Sequence, residues 1–378
     1  MSGIYLHIPF CKQACHYCNF HFSTSLRYKG EMVAAIAREL VGRKDYLPDE
    51  PLRSIYFGGG TPSLLAAEDI GLLMDTIYTH FNVASGAEIT LEANPDDITP
   101  AHLRLWKDNT INRLSIGVQS FHEEDLLYMN RAHNANEARN SIEMAQEVGF
   151  HNLTVDLIYG APTTTDEVWA NNVQTLLALG VSHISSYALT VEPKTALEHL
   201  IRHQKAAPLD EAQSARQYEY LMKVLTTHGF LHYEISNFAL PDHLAVHNSS
   251  YWRGAPYLGV GPSAHSFNGQ SRQWNIANNA HYLRAMSEDN NWQEAGEGVL
   301  FEKETLSATD RYNEYVMTGL RTIWGVNLQQ VEQPFRQHFL ENAQAYISKK
   351  MIHKYEDIYT LTTKGKLLAD KIASDLFC

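Results

Sequence analysis

Through its first 230 or so residues the chain alternates short β-branched and aromatic runs with longer stretches whose apolar positions recur at helical spacing. Gly3 to Phe10 (GIYLHIPF), Leu52 to Phe57, Ala87 to Ala93, Arg113 to Gln119, Leu153 to Tyr159 and His183 to Thr190 read as six strands. Between them, Arg27 to Lys44 carries Met32, Ile36, Leu40 and Val41 along one stripe. A second helical stretch runs to about His80, and others cover Asn136 to Val148, Glu167 to Leu179 and Asp210 to His228. Strand and helix in regular alternation predict a parallel sheet, because parallel strands need crossover connections. The predicted fold is α/β, a partial (β/α)6 TIM-like barrel; a doubly wound open sheet is the alternative. The position of the unusual residues favours the barrel. Cys11 to Cys18, Gly58 to Ser63, Glu92, Gln119, Asp156 and Tyr187 all fall near the C-terminal ends of successive strands, where barrels assemble their sites from many strands at once.

After Gly229 the alternation stops. Phe230 to Phe238 adds a strand, and Pro241 to Gly269, rich in His, Asn, Gly, Ser and aromatic residues, reads as ordered loops. From about Phe301 helices are predicted over Thr309 to Ile323, Gln333 to Ser348 and Lys364 to Leu376, with a short strand at Ile358 to Thr362. The division expected is 1–240 barrel, 241–300 connecting segment and 301–378 a winged-helix-like C-terminal domain. That last shape by itself fixes no function.

Composition changes the picture in two places. A net charge of -13 over 378 residues, and no Arg/Lys cluster on a recognition helix, argue against nucleic acid as a partner. No apolar run reaches the length of a membrane span, and the N-terminal run has no basic leader. The expectation is a cytoplasmic protein, with peripheral membrane association left open.

Candidate chemistry starts with Cys11, Cys15 and Cys18; the fourth cysteine, Cys378, ends the chain. Thiolates packed this closely are metal ligands rather than a disulfide framework. Structural zinc wants four protein ligands, so His16 or His21 would have to complete it. Three thiolates on an iron–sulfur cubane leave one iron open; ligand softness and number favour the cluster, with zinc still open from the loop alone. Gly58 to Ser63 lacks the ending of a phosphate-binding loop and the third glycine of a dinucleotide fold. As a strand-to-helix turn it nonetheless lets a ligand lie against backbone. Glu92, Gln119, Arg131 and Asp156 singly read as caps or loop ties. Together they supply a carboxylate for an ammonium, a guanidinium for a carboxylate, and partners for ribose hydroxyls.

Cys-x3-Cys-x2-Cys followed by Gly-Gly-Gly-Thr-Pro resembles the radical S-adenosylmethionine (SAM) superfamily. Tyr5 to Cys11 (YLHIPFC), Glu92 to Pro95 (EANP), Gly117 to Phe121 (GVQSF) and Asp156 to Gly160 (DLIYG) extend the likeness to its coproporphyrinogen-dehydrogenase-like branch over essentially the whole chain. The resemblance implies a 4Fe-4S cluster on Cys11, Cys15 and Cys18. It implies SAM among Tyr5, Tyr17, Gly59, Gly60, Thr61, Glu92, Gln119, Arg131, Asp156 and Ala188. Three departures from the branch's porphyrinogen oxidases stand out. Phe20 occupies their usual fourth-cysteine position, only ten residues precede Cys11, and His247 to Trp252 reads HNSSYW. That last phrase is similar to the branch's haem chaperones. It implies haem on His247, Tyr251 and Trp252, and delivery to haem-acceptor proteins, respiratory haem proteins by resemblance. A neutral imidazole suits haem iron and aromatic rings suit a porphyrin face; alternatively the loop is structural. The function expected is therefore haem chaperoning without coproporphyrinogen dehydrogenation. Oxygen-independent coproporphyrinogen III oxidation is the first alternative and radical modification of tRNA the second.

Overall fold

The computed structural model describes residues 2–287 and 292–378; residues 288–291, inside the segment expected to connect the two halves, lie outside them. Six parallel strands form the centre: β1 Ser2–Ile8, β2 Leu52–Gly59, β3 Val83–Ala93, β4 Arg113–Gln119, β5 Leu153–Tyr159 and β6 His183–Ala188. They pair in chain order, in parallel, and stay open between β1 and β6. Ile4, Leu6, Ile55, Leu91, Leu114, Val155 and Ile184 are wholly buried, as a sheet covered by crossover helices requires.

Both edges of the central sheet are extended by later parts of the chain. The run expected as one strand from Phe230 folds as a hairpin, β7 Leu231–Glu234 and β8 Asn237–Ala239, with β8 antiparallel to β6. The stretch expected as loops is more regular. After a helix at Val246–Trp252 come β9 Tyr257–Val260, β10 His265–Phe267 and β11 Ser271–Asn275, joined by β12 Phe301–Thr305. β9 runs parallel beside β1, with Gly3 opposite Tyr257 and Leu6 opposite Val260. The result is one twelve-stranded sheet in which β1 is an interior strand.

The helix Lys29–Gly42 holds this extension in place. Its apolar stripe is Met32, Val33, Ile36 and Leu40, while Val41, expected on the stripe, is 40% exposed. Glu39, fully buried beside that stripe, accepts from Arg43 Nη1 (3.1 Å), the Gly261 N–H (2.8 Å), Asn275 Nδ2 (2.7 Å) and the Tyr282 hydroxyl (2.6 Å). A buried carboxylate is tolerable only when satisfied in this way.

A second core is built from Val316, Leu320, Phe339, Tyr359 and Leu376. Helices Ala308–Leu320 and Gln333–Ser348 pack on a small sheet of β13 Val326–Asn327, β14 Ile352–Tyr355 and β15 Ile358–Leu361. The last predicted helix is broken into Thr363–Lys366 and Ala369–Asp375, because Leu368 leaves the helical region (φ -126°). Ile323 N–H to the Tyr233 carbonyl (2.9 Å) and Lys366 Nζ to the His232 carbonyl (3.2 Å) tie this unit to the β7–β8 hairpin.

Candidate functional site

The cysteine loop leaves the end of β1 and is fastened from two sides. Gly60 N–H bonds to the Ile8 carbonyl (2.9 Å) and Thr61 N–H to the Phe10 carbonyl (2.7 Å), so the glycine turn after β2 carries the loop's stem. A Cβ on Gly60 would lie 2.6 Å from the Phe10 carbonyl oxygen, and Gly59 sits at φ +106° with His7 where its Cβ would be. Side chains are excluded here by contact as well as by conformation. On the other flank Asn130 Nδ2 bonds the Ala14 carbonyl (2.8 Å), Gln13 Nε2 the Asn130 carbonyl (3.0 Å) and His16 Nδ1 the Tyr128 carbonyl (2.9 Å). That last bond fixes the His16 ring through Nδ1.

Cys11, Cys15 and Cys18 line one wall of a cavity of about 440 Å³ at the C-terminal rim of the strands. Burial pushes the Cys11 thiol up to about 11 and the Cys18 thiol upward too, so thiolates here require nearby positive charge. Among the described residues no three Cys, His, Asp or Glu side chains converge on a single metal-ion position. A cubane puts its thiolates on separate irons, and three thiols on one wall supply the soft donors that such a group takes. Arg131 supplies charge directly: Nη1 lies 3.2 Å from Cys15 Sγ and 3.4 Å from the Tyr17 hydroxyl, while Nη2 bonds Asn94 Oδ1 and the Gly117 carbonyl, each at 2.8 Å.

Of the ten residues expected around SAM, nine line this cavity: Tyr17, Gly59, Gly60, Thr61, Glu92, Gln119, Arg131, Asp156 and Ala188. Tyr5 does not; it faces a second cavity of about 710 Å³ inside the barrel. Gln119 ends β4 at φ +68°, a conformation rare for a residue with a Cβ and concentrated at functional sites. Glu92 and Asp156 belong to the walls of both cavities. Burial raises each carboxyl to about 7, against the Tyr56 hydroxyl bond that favours ionised Glu92, and the Glu92 charge adds to the effect on Asp156. Tyr56, which donates to Glu92 Oε1 at 2.7 Å, and Asn94 were not singled out from sequence. Asn94 stands inside the Glu92 to Pro95 phrase; Tyr56, on the inward face of β2, carried no such signal.

The helix Val246–Trp252 sits toward the opposite end of the strands. Glu88 accepts from the Val246 N–H (2.9 Å) and the His247 N–H (3.0 Å) and pairs with buried Arg113 at 3.5 Å; Arg113 also donates to Thr154. This places a carboxylate on the free N–H groups of the helix's first turn, where the helix dipole favours negative charge. His247 reaches the barrel cavity, its Nδ1 2.9 Å from Ser54 Oγ and its ring 5.0 Å from that of Tyr56. Nε2 has no hydrogen-bond partner among the described residues. Burial, with Arg113 nearby, lowers the imidazole to about 4, so it is neutral at ordinary pH. The three residues expected around haem are not brought into one cavity. Tyr251 shares the barrel cavity with His247, whereas Trp252 faces an outer cleft beside the C-terminal unit.

Residues 5–176 match the Radical SAM superfamily and residues 306–368 the HemN C-terminal domain. Over its full length the chain adopts the fold of the Escherichia coli radical SAM enzyme coproporphyrinogen III oxidase HemN: TM-score 0.83, covering 100% of this chain and 90% of that one, at 24% identity. The haem chaperone HemW of Bacillus subtilis is 32% identical, covering 98% of both chains, and that of Mycobacterium tuberculosis is 33% identical over 99% of this chain and 94% of its own. The chain belongs to the HemW haem chaperone family of radical SAM proteins.

Proposed function

We propose that this protein is a haem chaperone that binds haem through His247 and passes it to acceptor proteins. A 4Fe-4S cluster sits on Cys11, Cys15 and Cys18, and SAM fills the rim cavity. A cluster held by three thiolates keeps one iron open for SAM and supplies an electron when reduced. Arg131 stabilises thiolate charge at Cys15, Glu92 and Asp156 offer carboxylates to a cationic head group, and the glycine turn admits it against the backbone. The observation that carries the haem assignment is His247 itself: a neutral imidazole, oriented through Nδ1 by Ser54, with Nε2 left without a protein partner at a cavity large enough for a cofactor. Phe20, 69% exposed, lies on the walls of both cavities and supplies no thiol there. In keeping with this, we expect no turnover of coproporphyrinogen.

Haem titration of anaerobically purified protein tests the assignment. His247→Ala combined with Tyr251→Ala should shift the Soret band and weaken haem binding while iron–sulfur absorbance is retained. Cys15→Ser should abolish that absorbance, and Cys378→Ser should not. An unchanged haem spectrum and affinity in the folded double variant would make the helix structural. Sustained formation of protoporphyrinogen by reduced, cluster-replete protein would restore the oxidase reading.

A further inference from the structure

Trp252 and Tyr251 border a third space that the haem assignment does not use. It is a cleft of about 600 Å³ between the helix Val246–Trp252, the β9–β11 extension and the C-terminal unit. Aromatic faces supply much of its wall: Tyr257 and Phe267 from the sheet, Tyr315 and Trp324 from the C-terminal unit, and Tyr251 and Trp252 between them. The Trp252 indole N–H is buried without a hydrogen-bond partner among the described residues.

Three arginines stand at the cleft, and they differ. Arg272 is held by Glu314 (2.5 Å) and Arg311 by Glu332 (2.9 Å). Arg253 is exposed, has no carboxylate partner among the described residues, and lies 5.4 Å from the centre of the Trp324 ring. Flat apolar walls with one free guanidinium suit a planar hydrophobic ligand bearing carboxylates, and the volume is that of a cofactor site. No His, Cys or Met is among the described residues that line the cleft. Burial holds the Tyr257, Tyr312 and Tyr315 phenols protonated, so they are poor ligands for iron.

We propose that this cleft is a second porphyrin site, gripping the macrocycle by its faces and a propionate through Arg253, and giving its iron no histidine, cysteine or methionine ligand. The proposal rests on the haem-chaperone reading. Tyr251, a wall of both the barrel cavity and the cleft, makes the two sites neighbours. One site holds haem by its metal, and the other by its periphery. The cleft is then where haem lies after losing His247 and before meeting an acceptor.

Because the cleft ignores the metal, metal-free protoporphyrin IX separates the two sites. Full-length protein is titrated with that porphyrin, reading quenching of tryptophan fluorescence, to which Trp252 and Trp324 at the cleft contribute. Saturable binding is expected, weakened about tenfold or more by Arg253→Glu combined with Trp324→Ala and unchanged by His247→Ala. Haem, titrated in parallel, should lose affinity in His247→Ala. No porphyrin binding to the wild type, unchanged porphyrin affinity in the folded Arg253→Glu, Trp324→Ala variant, or loss of it in His247→Ala would each overturn the cleft. Should porphyrin follow the expected pattern while His247→Ala leaves haem binding untouched, the cleft stands and the His247 assignment falls. If His247→Ala weakens haem binding and the cleft substitutions leave porphyrin alone, the reverse holds.

Discussion

Arg131 touches a thiol, a phenol, an amide and a backbone carbonyl with two nitrogens, so its orientation is set before any ligand arrives. Glu92 and Asp156 are the opposite: two half-buried carboxyls close enough to repel, each raised to about 7. Raised carboxyls stay protonated in the folded protein where the unfolded chain has already ionised. They therefore cost stability progressively as pH rises from their ordinary range toward 7. A bound ammonium reverses this by favouring the carboxylate. SAM affinity, followed by anaerobic calorimetry, should accordingly rise as pH is raised from about 5 to 7 and level off above. Glu92→Gln should make the profile shallower. A flat wild-type profile would mean that neither carboxyl meets the cation. Most of this site was legible residue by residue, since Cys11, Cys15, Cys18 and nine of the ten SAM positions fall on one cavity wall. Tyr5 lines the adjoining cavity instead: its phrase leads into the cysteine loop, while its side chain turns inward from mid-strand toward Tyr56 and His247.

At the scale of elements, β4 and β5 match their predicted bounds residue for residue. Each is a seven-residue run that is buried almost throughout, and such a run has little freedom to start elsewhere. β9 was missed for the converse reason. Its four residues stand among Pro256, Gly259, Gly261 and Pro262, composition that signals turns, and only the open edge of β1 makes a strand of them. In the sequence Glu39 is one polar residue on an amphipathic helix. Its four donors come from the helix itself and from residues 261–282, a partnership that no local pattern reveals. Glu39→Ala would leave Arg43 buried without its charge partner and the Gly261 N–H and Tyr282 hydroxyl unsatisfied, while Asn275 Nδ2 keeps the Gly261 carbonyl. We expect a loss of about 3–5 kcal/mol in chemical denaturation, with the cysteine loop intact and the β9–β11 extension first to lose protection from hydrogen exchange. Loss confined to Lys29–Gly42 would show that Glu39 serves only its own helix.

For the molecule as a whole, the order of strands in space departs from their order in the chain at one place above all. β1, the first strand made, finds one neighbour about fifty residues later at Leu52 and the other only at Tyr257. A chain growing from a ribosome thus carries Ile4 and Leu6 on a strand with one bare edge until two-thirds of the protein has been synthesised. Bare parallel edges recruit other strands. A fragment ending at residue 240 should expose apolar surface to a reporter dye and aggregate. One ending at residue 287, which contains β9 to β11 and the Tyr282 tie to Glu39, should remain monomeric by light scattering. Equal solubility would show that the edge is harmless. The same delay bears on when iron can be loaded. The cysteine loop hangs from β1, so a cluster inserted during synthesis would enter a barrel still missing one side, whereas a cluster inserted afterwards meets a finished wall. The topology thereby favours maturation of the iron site only after the polypeptide has passed Val260.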